Sequence, residues 1–202
     1  MTYKIGVYGS NISEGEQAEA LGQELGKILA RYQCIVITGA CSGMPYIVAR
    51  EAAQHGAEVW GFTPEMNVEA QRRAYPNDDI TIYARLLYVP PNYKELFMMT
   101  SESETLDLAG RLKYRNVIST INSDAGIIIS GGWGTLNEFT NLIYDGKPIG
   151  VLMGTGGLAD ELPALYPRLR KKSQSVVVFE HDPEKLVAEL ITILEKRMRF
   201  AL

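Results

Sequence analysis

Gly126-Ile127-Ile128-Ile129-Ser130-Gly131-Gly132-Trp133-Gly134-Thr135-Leu136-Asn137-Glu138 is the stretch on which the fold turns. Its first residues are apolar without alternation, as a strand covered on both faces requires. A glycine cluster follows at once, and a helical pattern over Leu136–Tyr144 follows that. The same succession recurs along the chain. Strands are predicted at Tyr3–Tyr8, Cys34–Thr38, Glu58–Phe62, Leu86–Val89, Gly126–Ile129, Ile149–Leu152 and Val176–Phe179. Helices are predicted at Glu14–Tyr32, Pro45–His55, within Tyr93–Ile121, and at Leu136–Tyr144, Leu158–Lys172 and Pro183–Arg197. Alternation of this kind defines an α/β protein with a doubly wound, mainly parallel, Rossmann-like sheet of about seven strands and helices on both faces.

Composition agrees with one soluble domain over residues 1–202. Apolar residues are 46% and charged residues 22%, which excludes a disordered chain. The formal charge of −4 speaks against a nucleic-acid partner, whose binding rests on a basic face. No apolar run approaches 18 residues and Met1-Thr2-Tyr3-Lys4 leads into a strand, so neither a membrane span nor a signal peptide is expected. Cys34 and Cys41 flank an extended run too long for them to pair, which fits a reducing cytoplasm. His55, before Gly56, reads as a helix C-cap, and neither His55 nor His181 has metal-ligand spacing with the cysteines. Ser13-x-x-Glu16 reads as a capping box and Asp182-Pro183 as an N-cap followed by a first-turn proline. Arg197, Arg199 and the cluster Arg168–Lys172 read as solvated helix ends. Thr63–Arg85 shows no period and reads as a loop of about twenty residues, a length that usually marks function.

Three glycine clusters fall at the carboxyl ends of predicted strands, where open α/β sheets bind ligands. They contain Gly9 and Ser10; Gly39, Ser42 and Gly43; and Gly131, Gly132, Trp133, Gly134 and Thr135. Glycine lets backbone approach an anion, and the following helix offers free N–H groups, so these are the candidate phosphate- or nucleotide-binding residues. The spacing fits neither a P-loop nor G-x-G-x-x-G. Thr135-x-x-Glu138 matches a capping box, so Glu138 has a purely structural reading beside a catalytic one. Arg115 lies on a helix whose Leu108, Leu112 and Ile118 share its side while Leu106 and Val117 lie opposite. A helix apolar on most sides is buried, and a buried Arg needs an anion: a protein carboxylate or a ligand phosphate. Arg111 stands one turn earlier on the same face.

Gly131 to Glu138 resembles the P-G-G-x-G-T-x-x-E signature of the "lonely guy", or lysine-decarboxylase-like, family of nucleoside 5′-monophosphate phosphoribohydrolases. Arg115 precedes Gly131 by sixteen residues, as that family's Arg precedes its first signature glycine. The resemblance covers roughly residues 3–152. It implies release of base and ribose 5-phosphate, with Glu138 and Arg115 catalytic. It further implies no required cofactor, no metal, and a homodimer or higher homo-oligomer. Ser130 stands where the signature has proline, Asn137 where an acidic residue is frequent, and Arg115-Asn116 where the pattern has Arg-Lys. Gly134-Thr135-Leu136-Asn137-Glu138-Phe139-Thr140 with the later Ile149–Gly157 is similar to a sister branch that includes molybdenum-cofactor carrier proteins. That branch implies a non-catalytic carrier or sensor, its pocket holding phosphate, nucleotide or molybdopterin, with Trp133 and Tyr8 as stacking surfaces.

Overall fold

The computed structural model describes residues 2–12, 14–96, 103–169 and 173–200. Seven strands are present: β1 (Lys4–Gly9), β2 (Ile35–Thr38), β3 (Val59–Phe62), β4 (Arg85–Leu87), β5 (Ala125–Ile129), β6 (Ile149–Leu152) and β7 (Val177–Glu180). They form one sheet in the order β4-β3-β2-β1-β5-β6-β7, and every pairing is parallel. The helices among the described residues are α1 (Glu16–Arg31), α2 (Met44–Gln54), α3 (Val68–Ala74), α4 (Tyr93–Leu96), α5 (Glu104–Asn122), α6 (Trp133–Tyr144), α7 (Gly157–Leu165) and α8 (Pro183–Phe200).

Continuous burial explains the strands. Ile127, Ile128 and Ile129 are wholly buried because helices cover both faces, with Ile127 and Ile129 in one core cluster and Ile128 in the other. The chain runs outward from β1 in both directions, first through β2 to β4 and later through β5 to β7. Strand order therefore reverses between β1 and β5, and at that switch point the loops after adjacent strands part to leave a crevice.

Several expectations need correction. Thr63–Arg85 is not a structureless loop: it holds α3, capped by Asn67 Oδ1 accepting from Ala70 N–H at 2.9 Å, and a 3-10 turn at Ile80–Ile82. Helix α3 buries only Gln71, so it leaves no apolar period to read. Helix α1 starts from Gly15; Ser13, expected to cap it, lies outside the described residues. The helix expected over Leu158–Lys172 is shorter, since α7 ends at Leu165 and only a 3-10 turn at Tyr166–Arg168 follows; 170–172 lie outside the described residues. Helix α5 is not apolar on its buried sides. It buries Gly110, Asn116, Ser119 and Thr120, and exposes Leu106, Leu108, Val117 and Ile121. Small and polar residues let it lie close to its neighbours, which displaces the apolar ones outward. Arg197 is no solvated end, since it donates to the carbonyls of Gly146 and Gln174.

Other details match. Asp182 Oδ1 accepts from Glu184 and Lys185 N–H, and His55 is the C-cap of α2. Both cysteines are free. Among the described residues, no helix is long and apolar enough to cross a membrane.

Candidate functional site

A cavity of about 570 Å³ opens at the switch point. It lies within the size range of small-molecule sites. The loop after β1 gives it Gly9, Ser10 and Asn11, the loop after β2 gives Gly39, Cys41 and Ser42, and the loop after β5 gives Gly131 to Thr135. Arg115, Leu108 and Leu112 reach it from α5, Glu138 from α6, and Tyr75 from the segment after α3. All the candidate site residues line it except Gly43. That glycine sits behind, at φ 93°, where a Cβ would meet the backbone of Ser10 and Asn11 at 2.3–2.6 Å. A second hollow, of about 640 Å³, lies along the other side of α6 between Phe139, Tyr144 and Tyr166. Its lining includes the turn glycine Gly146 but no Lys or Arg, unlike the first cavity, where Arg115 and Glu138 meet.

The turn after β5 explains why this helix end is available. Helix α6 begins at Trp133, three residues before the start that a Thr135 capping box needs. Thr135 is inside the first turn, Gly132 is the N-cap, no side chain caps the helix, and no acidic residue occupies its first turn. Trp133, Gly134 and Thr135 thus bring N–H groups without intrahelical acceptors to the rim, with the positive end of the helix dipole behind them. Gly131, at φ 108°, closes the turn so tightly that a Cβ there would meet Thr135 Oγ1 at 2.5 Å. Ser130 is also left-handed, at φ 56°. Its N–H donates to Thr155 Oγ1, its hydroxyl to Glu14 Oε1, and its Oγ accepts from Ser10 N–H. Proline, fixed near −65°, could not adopt that φ, which accounts for serine at this place in the signature.

Because Glu138 does not cap α6, its structural reading falls away. Its side chain is 5% exposed, and among the described residues it has no hydrogen bond or ion pair closer than its electrostatic coupling to Arg115. Burial pushes its carboxyl up to about 7, against the pull of Arg115. Arg115 lies over the end of β2. Gly39 makes room for it, since a Cβ there would fall 1.5 Å from Nη1. No carboxylate among the described residues is within 4 Å of the guanidinium; Nη1 is 3.9 Å from Cys41 Sγ, and the buried Nε has no partner. Arg111, by contrast, is engaged by Asp107 Oδ2, Glu65 Oε2 and the Pro64 carbonyl and does not line the cavity. Of the two arginines on this face, only Arg115 lacks a carboxylate.

The two aromatic candidates separate. Tyr8 is core, its hydroxyl 2.8 Å from Ser123 Oγ and its pKa raised by burial, although one edge reaches the cavity. Trp133 is 89% exposed at the mouth.

Sequence reasoning missed the residues that face the turn after β2. Gln71 Nε2 donates to the Ala40 carbonyl at 2.8 Å, Cys41 Sγ–H to Tyr75 Oη at 3.0 Å, and Ser42 Oγ–H to Asp78 at 2.9 Å. Only the length of the Thr63–Arg85 segment hinted at this. Asn116 was also missed: its Nδ2 donates to Asn137 Oδ1 at 3.1 Å. Two departures from the hydrolase signature are therefore one contact, an amide pair joining α5 to α6 one residue from Arg115 and from Glu138.

With this geometry in place, comparison with known proteins identifies the class. The profile of the SLOG cluster4 family matches residues 2–88 and 100–187, and the chain belongs to that family. No curated protein matches it. Among solved structures, the X-ray structure of TM1055, a structural-genomics target, superposes with a TM-score of 0.69 at 19% identity, covering 95% of this chain and 99% of the other. The molybdenum cofactor binding protein of the phototrophic bacterium Rippkaea orientalis gives 0.68 at 19%, covering 96% and 98%. The molybdenum cofactor carrier protein of Chlamydomonas reinhardtii gives 0.67 at 17%, covering 97% and 99%. The resemblance drawn from the signature holds at the level of family, and carrier proteins of the sister branch share the fold.

Proposed function

We propose that this protein binds a nucleoside 5′-monophosphate and hydrolyses its N-glycosidic bond, giving free base and ribose 5-phosphate. The observation that carries this reading is the pair Arg115 and Glu138. One is a cation without a carboxylate partner and the other a buried carboxyl with a pKa near neutrality, and both line one cavity with an uncapped helix N-terminus. The N–H groups of Gly132 to Thr135 hold the 5′-phosphate, and Arg115 supplies its counter-charge. Breaking the glycosidic bond builds positive charge on the ribose, which the Glu138 carboxylate stabilises. The same carboxylate takes a proton from the attacking water, as a group titrating near 7 does efficiently. Of the helix ends lining the cavity among the described residues, that of α6 has no first-turn acid and no proline, which suits one phosphate better than a diphosphate. The chemistry needs no metal or cofactor, and a small phosphorylated ligand rather than nucleic acid suits the acidic chain. Free cysteines suit the cytoplasm. The apolar stripe Leu106, Val117 and Ile121, exposed on the side of α5 away from the cavity, is surface that a second copy would cover.

The test is chromatographic detection of free base from a panel of nucleoside 5′-monophosphates. Wild type releases base; Glu138→Gln lowers the rate about 10³-fold while monophosphate binding persists. The names of the Rippkaea and Chlamydomonas neighbours support a second reading, a carrier of a phosphorylated pterin. A wild type that cuts none of the panel and yields a pterin to mass spectrometry when freshly purified would replace the first reading with that one.

A further inference from the structure

Ser42 gives the cavity a polarity that its phosphate end lacks. Its Oγ lies 2.9 Å from both Oδ1 and Oδ2 of Asp78. A serine hydroxyl has one proton and two lone pairs, and a carboxylate only accepts. With the proton committed to Asp78, Ser42 faces the cavity as an acceptor alone. The first two positions of α2 add no donor, because the Met44 N–H donates to the Ser10 carbonyl and Pro45 has none. The arrangement is a built one. The Ala40 carbonyl accepts from Gln71, Cys41 donates to Tyr75 and Ser42 to Asp78, and Asp79 N–H donates to Tyr46 Oη at 2.7 Å, anchoring the segment 71–79 to α2.

Position matters as much as polarity. Strand β1 lies between β2 and β5, so the two turns stand about 10 Å apart at ordinary strand spacing. A phosphate held by the turn after β5 leaves its sugar and base to extend toward Ser42. We infer that Ser42, oriented by Asp78, is a specificity-determining acceptor that reads an O–H or N–H donor on the sugar or base of the bound nucleoside monophosphate and takes no part in holding its phosphate. This rests on the monophosphate reading above and refines it. Ligands that present only acceptors at that end are disfavoured, because two lone-pair oxygens facing each other cannot satisfy one another.

Asp78→Asn tests the inference by reversing the hydrogen bond. The amide can donate to Ser42 Oγ, which turns the hydroxyl proton toward the cavity and replaces an acceptor by a donor. Binding is measured by calorimetry with adenosine 5′-monophosphate, ribose 5-phosphate and inorganic phosphate, in a Glu138→Gln background so that the nucleotide stays intact. Affinity for the nucleotide falls about tenfold in Asp78→Asn and in Ser42→Ala, while affinity for inorganic phosphate, which also reports correct folding, stays within about twofold. If ribose 5-phosphate weakens in parallel, the donor is a sugar hydroxyl; if it does not, the donor is on the base. Equal losses for nucleotide and inorganic phosphate would make Ser42 a phosphate ligand and overturn the inference, as would an unchanged nucleotide affinity in both variants. A parent protein that binds neither phosphate nor nucleotide overturns the monophosphate reading itself, and the inference with it.

Discussion

Helices α2 and α6 both start at the rim of the sheet from a glycine N-cap with no side-chain capping bond. In α2, the first N–H is spent on the Ser10 carbonyl, the second position is Pro45, and the preceding Ser42 is tied to Asp78. In α6, the equivalent positions are Trp133 and Gly134, the helix carries no acid in its first turn, and Arg115 stands beside the cavity it faces. Helix α1 gives a third case, with Glu16 and Glu19 already placed at its positive end. Glycine-rich turns that look alike in sequence thus differ in what their donors are already doing. The proposed anion site is the turn whose donors are left without intrahelical acceptors.

The largest expected effect concerns what the α6 end costs the fold. Glu138 has an ordinary pKa of 4.5 when unfolded and about 7 in the native state, so the native protein holds its proton more tightly. The sign follows: stability falls as pH rises from about 4.5 to about 7, and the loss above that window is about 3 kcal/mol. Glu138→Gln should therefore raise the denaturation midpoint at pH 8 and change it little at pH 4, as urea titrations at the two pH values will show. Equal effects at both would mean that the carboxyl is not held in a desolvated site.

A smaller effect comes from making α6 resemble α2. Gly134→Pro puts proline at the second helical position, where Pro45 sits in α2, and a Cβ at 134 meets nothing within 4 Å. The variant removes one N–H without disturbing packing. Phosphate affinity should fall about tenfold, with thermal stability preserved. The smallest effect is the converse. Pro45→Ala gives α2 back an N–H, yet phosphate affinity should move less than about twofold, since Ser42 still presents an acceptor there. A gain of tenfold would show that proline alone had silenced that turn.

The central strands were legible because covered strands are apolar at consecutive positions, as in Ile127 to Ile129 or Ile35 to Ile37, whereas the edge strand β4, with no buried residue, was expected at Leu86–Val89 and runs over Arg85–Leu87. The place of the cavity was legible too, since glycines gathered at three strand ends. What each turn does with its donors was not. The bonds from Ser42 to Asp78 and from Cys41 to Tyr75 join residues 36 and 34 positions apart, through a segment whose one buried helical residue is a glutamine. Thr135-x-x-Glu138 misled for a related reason. Its spacing is that of a capping box, but Gly131 and Gly132 let the helix begin earlier, which carries the threonine inside and frees the glutamate. Arg115 could be expected to be buried, yet its lack of a carboxylate partner depended on Arg111 engaging Asp107 and Glu65.

The passage of Arg115 over Gly39 also bears on how such a pocket can change through descent. With only 1.5 Å between a hypothetical methyl group at position 39 and the guanidinium, any side chain there evicts the cation in a single step. An arginine held in this position therefore favours glycine at 39, and its loss would remove that constraint. The two positions should drift as a pair, which their joint identity across descendants of a common ancestor would test.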